Sequence, residues 1–334
     1  MHNLLDPAIL FFIFGVAAGT LRSNLEIPPA ISRFLSLYLL MALGLKGGFA
    51  LSHAGLDRGV GLSLAAAVAL AIVVPLLGYW VLRHIVSGFD AAAIAATYGS
   101  VSAVTFVTTV QYLESQQLPY GGHMAAAMAL MESPAIIMAV LLANALRQGA
   151  QLSAVPVGAG LAALAPAPGA GLPLRKILHE SLTDGAQLLL LGAMAVGLLT
   201  GESGKAAMQP FSGDLFKGML SFFLLDMGLM AARSLPQLRA TSPALLLYGV
   251  LGPLAHASLA LGLAYGLGLP PGDGGLLMVL AASASYIAVP AVLRYAVPEA
   301  QPSLYIGLSL GLTFPLNIVL GIPSYTAVAQ AVLQ

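Results

Sequence analysis

Apolar runs of 18 residues or more follow one another along this chain from end to end, separated by short punctuated stretches. One such run would be an anchor. A succession of them predicts a bundle of membrane-spanning helices, because in hydrocarbon every backbone polar group must be satisfied within the protein. The runs and their punctuation place ten spans, at 7–21, 29–52, 59–83, 90–111, 121–147, 178–200, 211–232, 242–267, 272–295 and 302–332. Pro28 and Pro29 open the second span where a missing N–H costs nothing, and Pro270 with Pro271 parts the eighth from the ninth. Loops are short except at 148–177, where Pro156, Pro166, Pro168 and Pro173 stand among Ala and Gly. That stretch reads as a linker between two halves, 1–147 and 178–334.

Composition narrows the class. Of 334 residues, 59% are hydrophobic and 8% charged, and 13 basic with 13 acidic side chains cannot form the skin of a soluble protein of this length. The first run lacks the basic flank and cleavage pattern of a signal peptide, so it is expected to stay in the mature protein. With no Cys, disulfides and thiol or Cys-metal chemistry are excluded, and a net charge of 0 without a basic block speaks against nucleic acid as a partner. Arg22, Arg33, Arg83, Arg147, Arg175, Lys176, Arg233, Arg239 and Arg294 all fall on the side reached after an odd-numbered span, while the opposite side has chiefly Arg58, Lys205 and Lys217. The positive-inside rule makes the first side cytoplasmic and sets both termini outside the cytoplasm. Five spans per half is an odd number, so the second half enters the membrane inverted, the arrangement of many secondary transporters.

Internal matches support a duplication. The segment from Tyr38 through Gly44 and Lys46 to Gly48 aligns with the one from Phe222 through Asp226 and Gly228 to Ala232, the Ser102 region with the Ser285 region, and Pro134 with Pro315. The offsets, 184, 183 and 181 residues, are nearly constant.

Polar atoms then mark where chemistry is forced into the bilayer. The fourth span carries Thr97, Tyr98, Gly99, Ser100, Ser102, Thr105, Thr108 and Thr109; the ninth carries Ser283, Ser285 and Tyr286, followed by Pro290. These are the expected broken helices, whose opposed N-termini would hold an anion without a basic side chain. The alternative is that Ser and Thr only return hydrogen bonds to their own helices. Glu132, beside Pro134, would cost about 2.5–3.5 kcal/mol or more if ionised and unpaired in the bilayer. A carboxylate next to carbonyls freed by proline is a sodium environment, and Thr313 beside Pro315, with Asn317, offers neutral oxygens to a second one. Protonation of Glu132, or a bond to a neighbouring hydroxyl, stands as the alternative. Lys46 and Asp226 are candidates for a mutual ion pair, unless Lys46 snorkels from its span end. His256 could relay protons or simply pack, and no role is assigned to it. Gly121-Gly122-His123 reads as a loop before a span. No metal-spaced His pair, phosphate loop or nucleophile elbow gives enzyme chemistry a foothold, and no cofactor is expected beyond sodium as coupling ion.

At these polar centres the sequence resembles the sodium-dependent bicarbonate transporter family first known from cyanobacteria. The similarity is strongest over 99–143, with Tyr112-Leu113-Glu114-Ser115 and Glu132-Ser133-Pro134-Ala135, and over 281–321, with Ser303-Leu304-Tyr305-Ile306-Gly307. The resemblance implies an all-α integral membrane protein of ten spans in two inverted repeats with broken, crossed helices, assembled as a homotrimer. It implies sodium-coupled bicarbonate uptake by an elevator movement, with a PII-like protein as regulatory partner. Carried over by position, the first substrate loop is Ser102-Ala103-Val104-Thr105, where the family has Ser-Gly-Ser-Thr. The second is Ser283 to Pro290, where the family has Ser-Ser-Ser-Asp-Ile-Ser-Gly-Pro; Glu132 takes the place of an Asp. Here Tyr286 replaces an Asp, and Ala103, Val104, Ala288 and Val289 replace hydroxyls or glycine, which makes the cavity less polar and keeps another small anion, such as a monocarboxylate, in view beside bicarbonate. A non-transporting receptor on the same scaffold is the third reading. The fourth, fifth, ninth and tenth spans are expected to form a mobile core, and the other six a scaffold.

Overall fold

The computed structural model describes residues 6–54, 58–154, 185–238 and 241–333. Regular structure among them is helical: α1 Pro7–Thr20, α2 Pro29–Ala54, α3 Arg58–Leu82, α4 Gly88–Gly99, α5 Ala103–Ser115, α6 Met124–Ala154, α7 Gly185–Met208, α8 Phe216–Leu238, α9 Pro243–Leu267, α10 Pro271–Ala282, α11 Ala288–Ala296 and α12 Pro302–Val332. Seven helical stretches among the described residues are long and apolar enough to cross a membrane; α1 and α10 are apolar but shorter. The protein is a multi-pass membrane protein. Helix α6 runs on to Ala154, past the expected start of the linker at 148, while 155–184 lies outside the described residues together with the first part of the expected sixth span.

Local chemistry sets the helix ends. Asp6 caps α1 by accepting from Ala8 N–H at 2.8 Å, with Pro7 in the first position. Ser242 and Pro243 begin α9 in the same way, and Gly268, at φ +65°, ends it in the left-handed conformation that glycine adopts without strain. Helix α7 is interrupted at Gly201, φ +54°, and a π-helical turn over Gln209–Asp214 leads into α8.

Two kinds of packing divide the molecule. Helix α1 lies along α8, and α2 along α7, through glycines that bring backbones into contact. A Cβ on Gly15 would sit 2.3 Å from Leu225 O, one on Gly228 2.3 Å from Phe12 O, and one on Gly48 2.1 Å from Met194 O. Elsewhere α3 packs on α4 and α6, α9 on α10, and α10 on α12. Two buried carboxylates tie the latter group together. Asp90, in the first turn of α4, accepts Gln301 N–H just before α12 at 2.8 Å; Asp273, in the first turn of α10, accepts Gly121 N–H just before α6 at 2.6 Å. Each pins the loop that leads into a helix of the other half. The Gly121-Gly122-His123 stretch is therefore more than a connecting loop: His123 is buried, with Nε2 3.7 Å from Asp273 Oδ2.

Candidate functional site

The stretch between α4 and α5 and the stretch between α10 and α11 are non-helical. Ser100 is extended after Gly99, whose backbone is pressed under the Pro75 ring so closely that a Cβ would meet Pro75 Cδ at 2.5 Å. Ser102 restarts the chain as the N-cap of α5, its hydroxyl accepting from Thr105 N–H at 3.2 Å. In the second break Ser283 is extended and Ser285 Oγ accepts from Val289 N–H at 3.2 Å. Pro290 falls in the first turn of α11, where its missing N–H has no intrahelical partner to lose. The break thus precedes the proline rather than being caused at it.

The breaks satisfy each other's backbone. Ser102 N–H donates to Ser283 Oγ at 3.0 Å, Ser285 N–H donates to Thr97 O at 2.8 Å, and Ser283 Oγ donates to Leu280 O at 2.8 Å. Asn317 Nδ2 donates to Ala282 O at 2.8 Å, which caps the end of α10. The Tyr286 hydroxyl lies against the Ser102 side chain and 3.6 Å from Met227 Sδ, its ring beside Phe314. Buried polar groups in an apolar bundle need such partners, since each one left without costs about 1–3 kcal/mol.

Where the two breaks meet, a cavity of about 80 Å³ opens. A single water needs about 10–15 Å³ by the same measure, so there is room for a small polyatomic ion or several waters. Ser102, Ala103 and Val104 from the first break and Ser285, Tyr286 and Ala288 from the second line it, with Ser36 of α2 and Glu132 of α6. The Gln187 amide of α7 donates to Glu132 Oε2, so a bond that holds this carboxylate comes from another helix. Among the described residues, no Lys or Arg lines it.

The remaining candidates lie outside this cavity. Thr105 is buried behind it, its Oγ1 without a hydrogen-bond partner among the described residues, and Gly99 is held under Pro75. Thr313 and Asn317 line a second cavity of about 160 Å³ between α9 and α12. There Thr313 Oγ1 donates to Gly249 O at 2.9 Å, so the Tyr98 hydroxyl, 2.6 Å away, is the donor to Thr313. Pro134 lies inside α6; Pro315 lies in α12 between π-helical turns over Gly307–Thr313 and Asn317–Gly321, the widened hydrogen bonding with which this helix accommodates proline.

The expected Lys46–Asp226 pair is not formed. Lys46 Nζ lies 2.9 and 3.0 Å from the Glu114 oxygens and 4.1 Å from the Phe216 ring centroid, in a separate polar vestibule of about 450 Å³. Glu114, at the end of α5, simply lies nearer than Asp226, which is buried in α8 with the Ser32 hydroxyl against it. His256 is buried in α9, its Nδ1 unpartnered among the described residues. Sequence reading passed over Gln187, Asp90 and Asp273. The two aspartates stand 183 residues apart, within the 181–184 range of the other internal matches, and could have been found by extending that alignment; Gln187 was visible only as a lone amide in an apolar run.

Compared with known protein families, the chain matches the one described as the Na+-dependent bicarbonate transporter superfamily over residues 7–330, nearly its full length. No curated protein matches it.

Proposed function

Since the chain belongs to the Na+-dependent bicarbonate transporter superfamily, we propose that it is a secondary transporter carrying a small monoanion with sodium through the cavity between its two helix breaks. The observation that carries this reading is the meeting of the breaks, Ser102 on Ser283 and Ser285 on Thr97, beside an intramembrane carboxylate. The N-termini of α5 and α11 open there, each with a partial positive charge of about 0.5; the first-turn donors not taken by the capping serines are Ala103 and Val104 N–H in α5 and Ala288 N–H in α11, Pro290 having none. An anion is held by these groups in place of a basic side chain.

Glu132 makes the cation necessary. Two like charges about 4 Å apart repel by about 4 kcal/mol at an effective dielectric of about 20, so an anionic cargo and an ionised Glu132 share one cavity only with a cation between or beside them. Oxygen donors suit sodium, and Glu132 with Ser102 supplies them; Thr313 and Asn317 are the second candidate position.

The ten-span, inverted-repeat architecture is part of the same proposal. Seven long stretches, with Gly185–Pro236 folded at Gly201 and the following π turn into two, plus α1 and the α10–α11 pair, amount to ten. The matched Asp90 and Asp273 clamps and the matched α1–α8 and α2–α7 pairings support the duplication. Packing favours an elevator in which α3 and α9 travel with the broken helices, against a panel of α1, α2, α7 and α8, rather than staying with a six-span scaffold. A bacterial inner membrane, outward termini, a homotrimer and a PII-like regulator complete the proposal, and no enzymatic step is part of it.

The test is uptake of a labelled small anion by purified protein in liposomes. An inward sodium gradient is expected to drive accumulation, and Glu132→Gln to abolish it while leaving thermal unfolding in detergent within a few degrees of the parent. Uptake indifferent to the sodium gradient would refute the coupling.

A further inference from the structure

Resting on the transporter reading, we propose that the cargo is a short-chain monocarboxylate, recognised at one end by the helix breaks and at the other by an apolar wall. The polar groups of the cavity come mainly from the two breaks: the Ser102 and Ser285 side chains and the first turns of α5 and α11, with Ala103, Val104 and Ala288 on the lining. Two oxygens on one carbon match that set, because adjacent first-turn N–H groups and capping hydroxyls present donors side by side.

The rest of the lining has a different character. Leu40 comes from α2, Met128 and Ala129 from α6, Ala186 and Leu190 from α7, and Ile287 from the second break. Among the described residues, Ser36, Glu132 and Gln187 interrupt that wall with polar atoms, and the last two are bonded to each other. An anion with oxygens on every side has to turn at least one of them toward this mostly apolar surface, where among the described residues the donors are the Ser36 hydroxyl and a Gln187 amide already engaged with Glu132. A methyl or ethyl group placed there replaces water against Leu40, Met128 and Leu190 and gains from its burial. The cavity of about 80 Å³ sets the upper limit on that group. Glu132 faces the same space, which excludes a second carboxylate on the cargo and restricts it to a monoanion.

The signature is graded affinity along a homologous series. Dissociation constants for acetate, propionate and butyrate are measured by isothermal titration on the full-length protein in lipid nanodiscs with sodium present, beside bicarbonate under the same conditions. Affinity is expected to rise about fourfold per added methylene, with a fall once the chain outgrows the cavity, and bicarbonate weaker than propionate. Leu190→Asn should cost propionate several-fold and acetate little, a split that a general loss of folding does not produce. Bicarbonate binding tighter than every carboxylate overturns the assignment and leaves the transporter reading standing. Folded protein that binds none of the four and moves none across liposomes overturns both. A series with no dependence on chain length removes the apolar wall from recognition and overturns the assignment as well.

Discussion

The panel of α1, α2, α7 and α8 and the body built around the two helix breaks draw on the same apolar alphabet but satisfy their backbones in opposite ways. In the panel, backbone bonding runs mostly within helices, and the helices approach until glycine backbones touch, at Gly15 against Leu225 O and Gly228 against Phe12 O. In the body, helices stop inside the bundle and hand their N–H and C=O groups to partners far along the chain, as Ser102 N–H does to Ser283 and Asn317 to Ala282 O. Side-chain volume is therefore critical in the panel, and single polar atoms are critical in the body. In the proposed transport cycle the body is the carrier and the panel its support.

The sharpest way to break this contrast is to add volume to the panel. Gly228→Val puts a branched side chain where even a Cβ is 2.3 Å from a carbonyl oxygen, and a loss of about 3 kcal/mol or more is expected in denaturant unfolding in micelles, with poor recovery of folded protein. Next in size, Asp273→Ala leaves Gly121 N–H without its carboxylate, and Asp90→Ala does the same to Gln301. Each should cost about 1–3 kcal/mol by the same assay, and similar values for the two would strengthen the case for matched halves. Ser102→Ala removes the cap of α5, for about 1 kcal/mol; a much larger loss would mean that the Ser102 hydroxyl also supports Tyr286.

The smallest effect concerns a loop outside the spans. Arg147 Nη2 lies 2.7 Å from Glu299 Oε2, and that hydrogen bond holds the Glu299 carboxyl below its ordinary value. A depressed carboxyl contributes stability that is present above its unfolded value, about pH 4.3, and is lost as pH falls through the lower folded value. Because Glu299 is about a third exposed, with a side-chain exposure of 36%, the contribution is at most about 1 kcal/mol. Thermal unfolding of the parent and Glu299→Gln should differ slightly at pH 7 and converge as the pH is taken below the lowered folded value.

Much of this was legible in the chain. Span positions follow from run length, since hydrocarbon thickness fixes how many apolar residues a helix needs, and the tenth span was read at 302–332, the bounds of α12. The interruptions were legible too, because Gly99, Ser102, Ser283 and Ser285 are poor material for an uninterrupted apolar helix. The partners were not: Lys46 lies 68 residues from Glu114, and Gln187 lies 55 from Glu132. The expected pairing of Lys46 with Asp226 failed because repeat symmetry gives the position of helices and not the reach of a side chain.

What the sequence alone determined is the class of solvent, the count and length of apolar runs and the places where the backbone would be hard to satisfy locally, since these depend on residues close together in the chain. Only the tertiary structure decided which loose backbone ends meet, that Glu132 faces the Ser102 and Ser285 cavity while Thr313 and Asn317 line another, and that α3 packs on α4 and α6 and α9 on α10. Those outcomes depend on distances between segments up to about two hundred residues apart, and in an apolar bundle nearly every helix face can pack against nearly any other until close backbone contacts and buried hydrogen bonds select one arrangement.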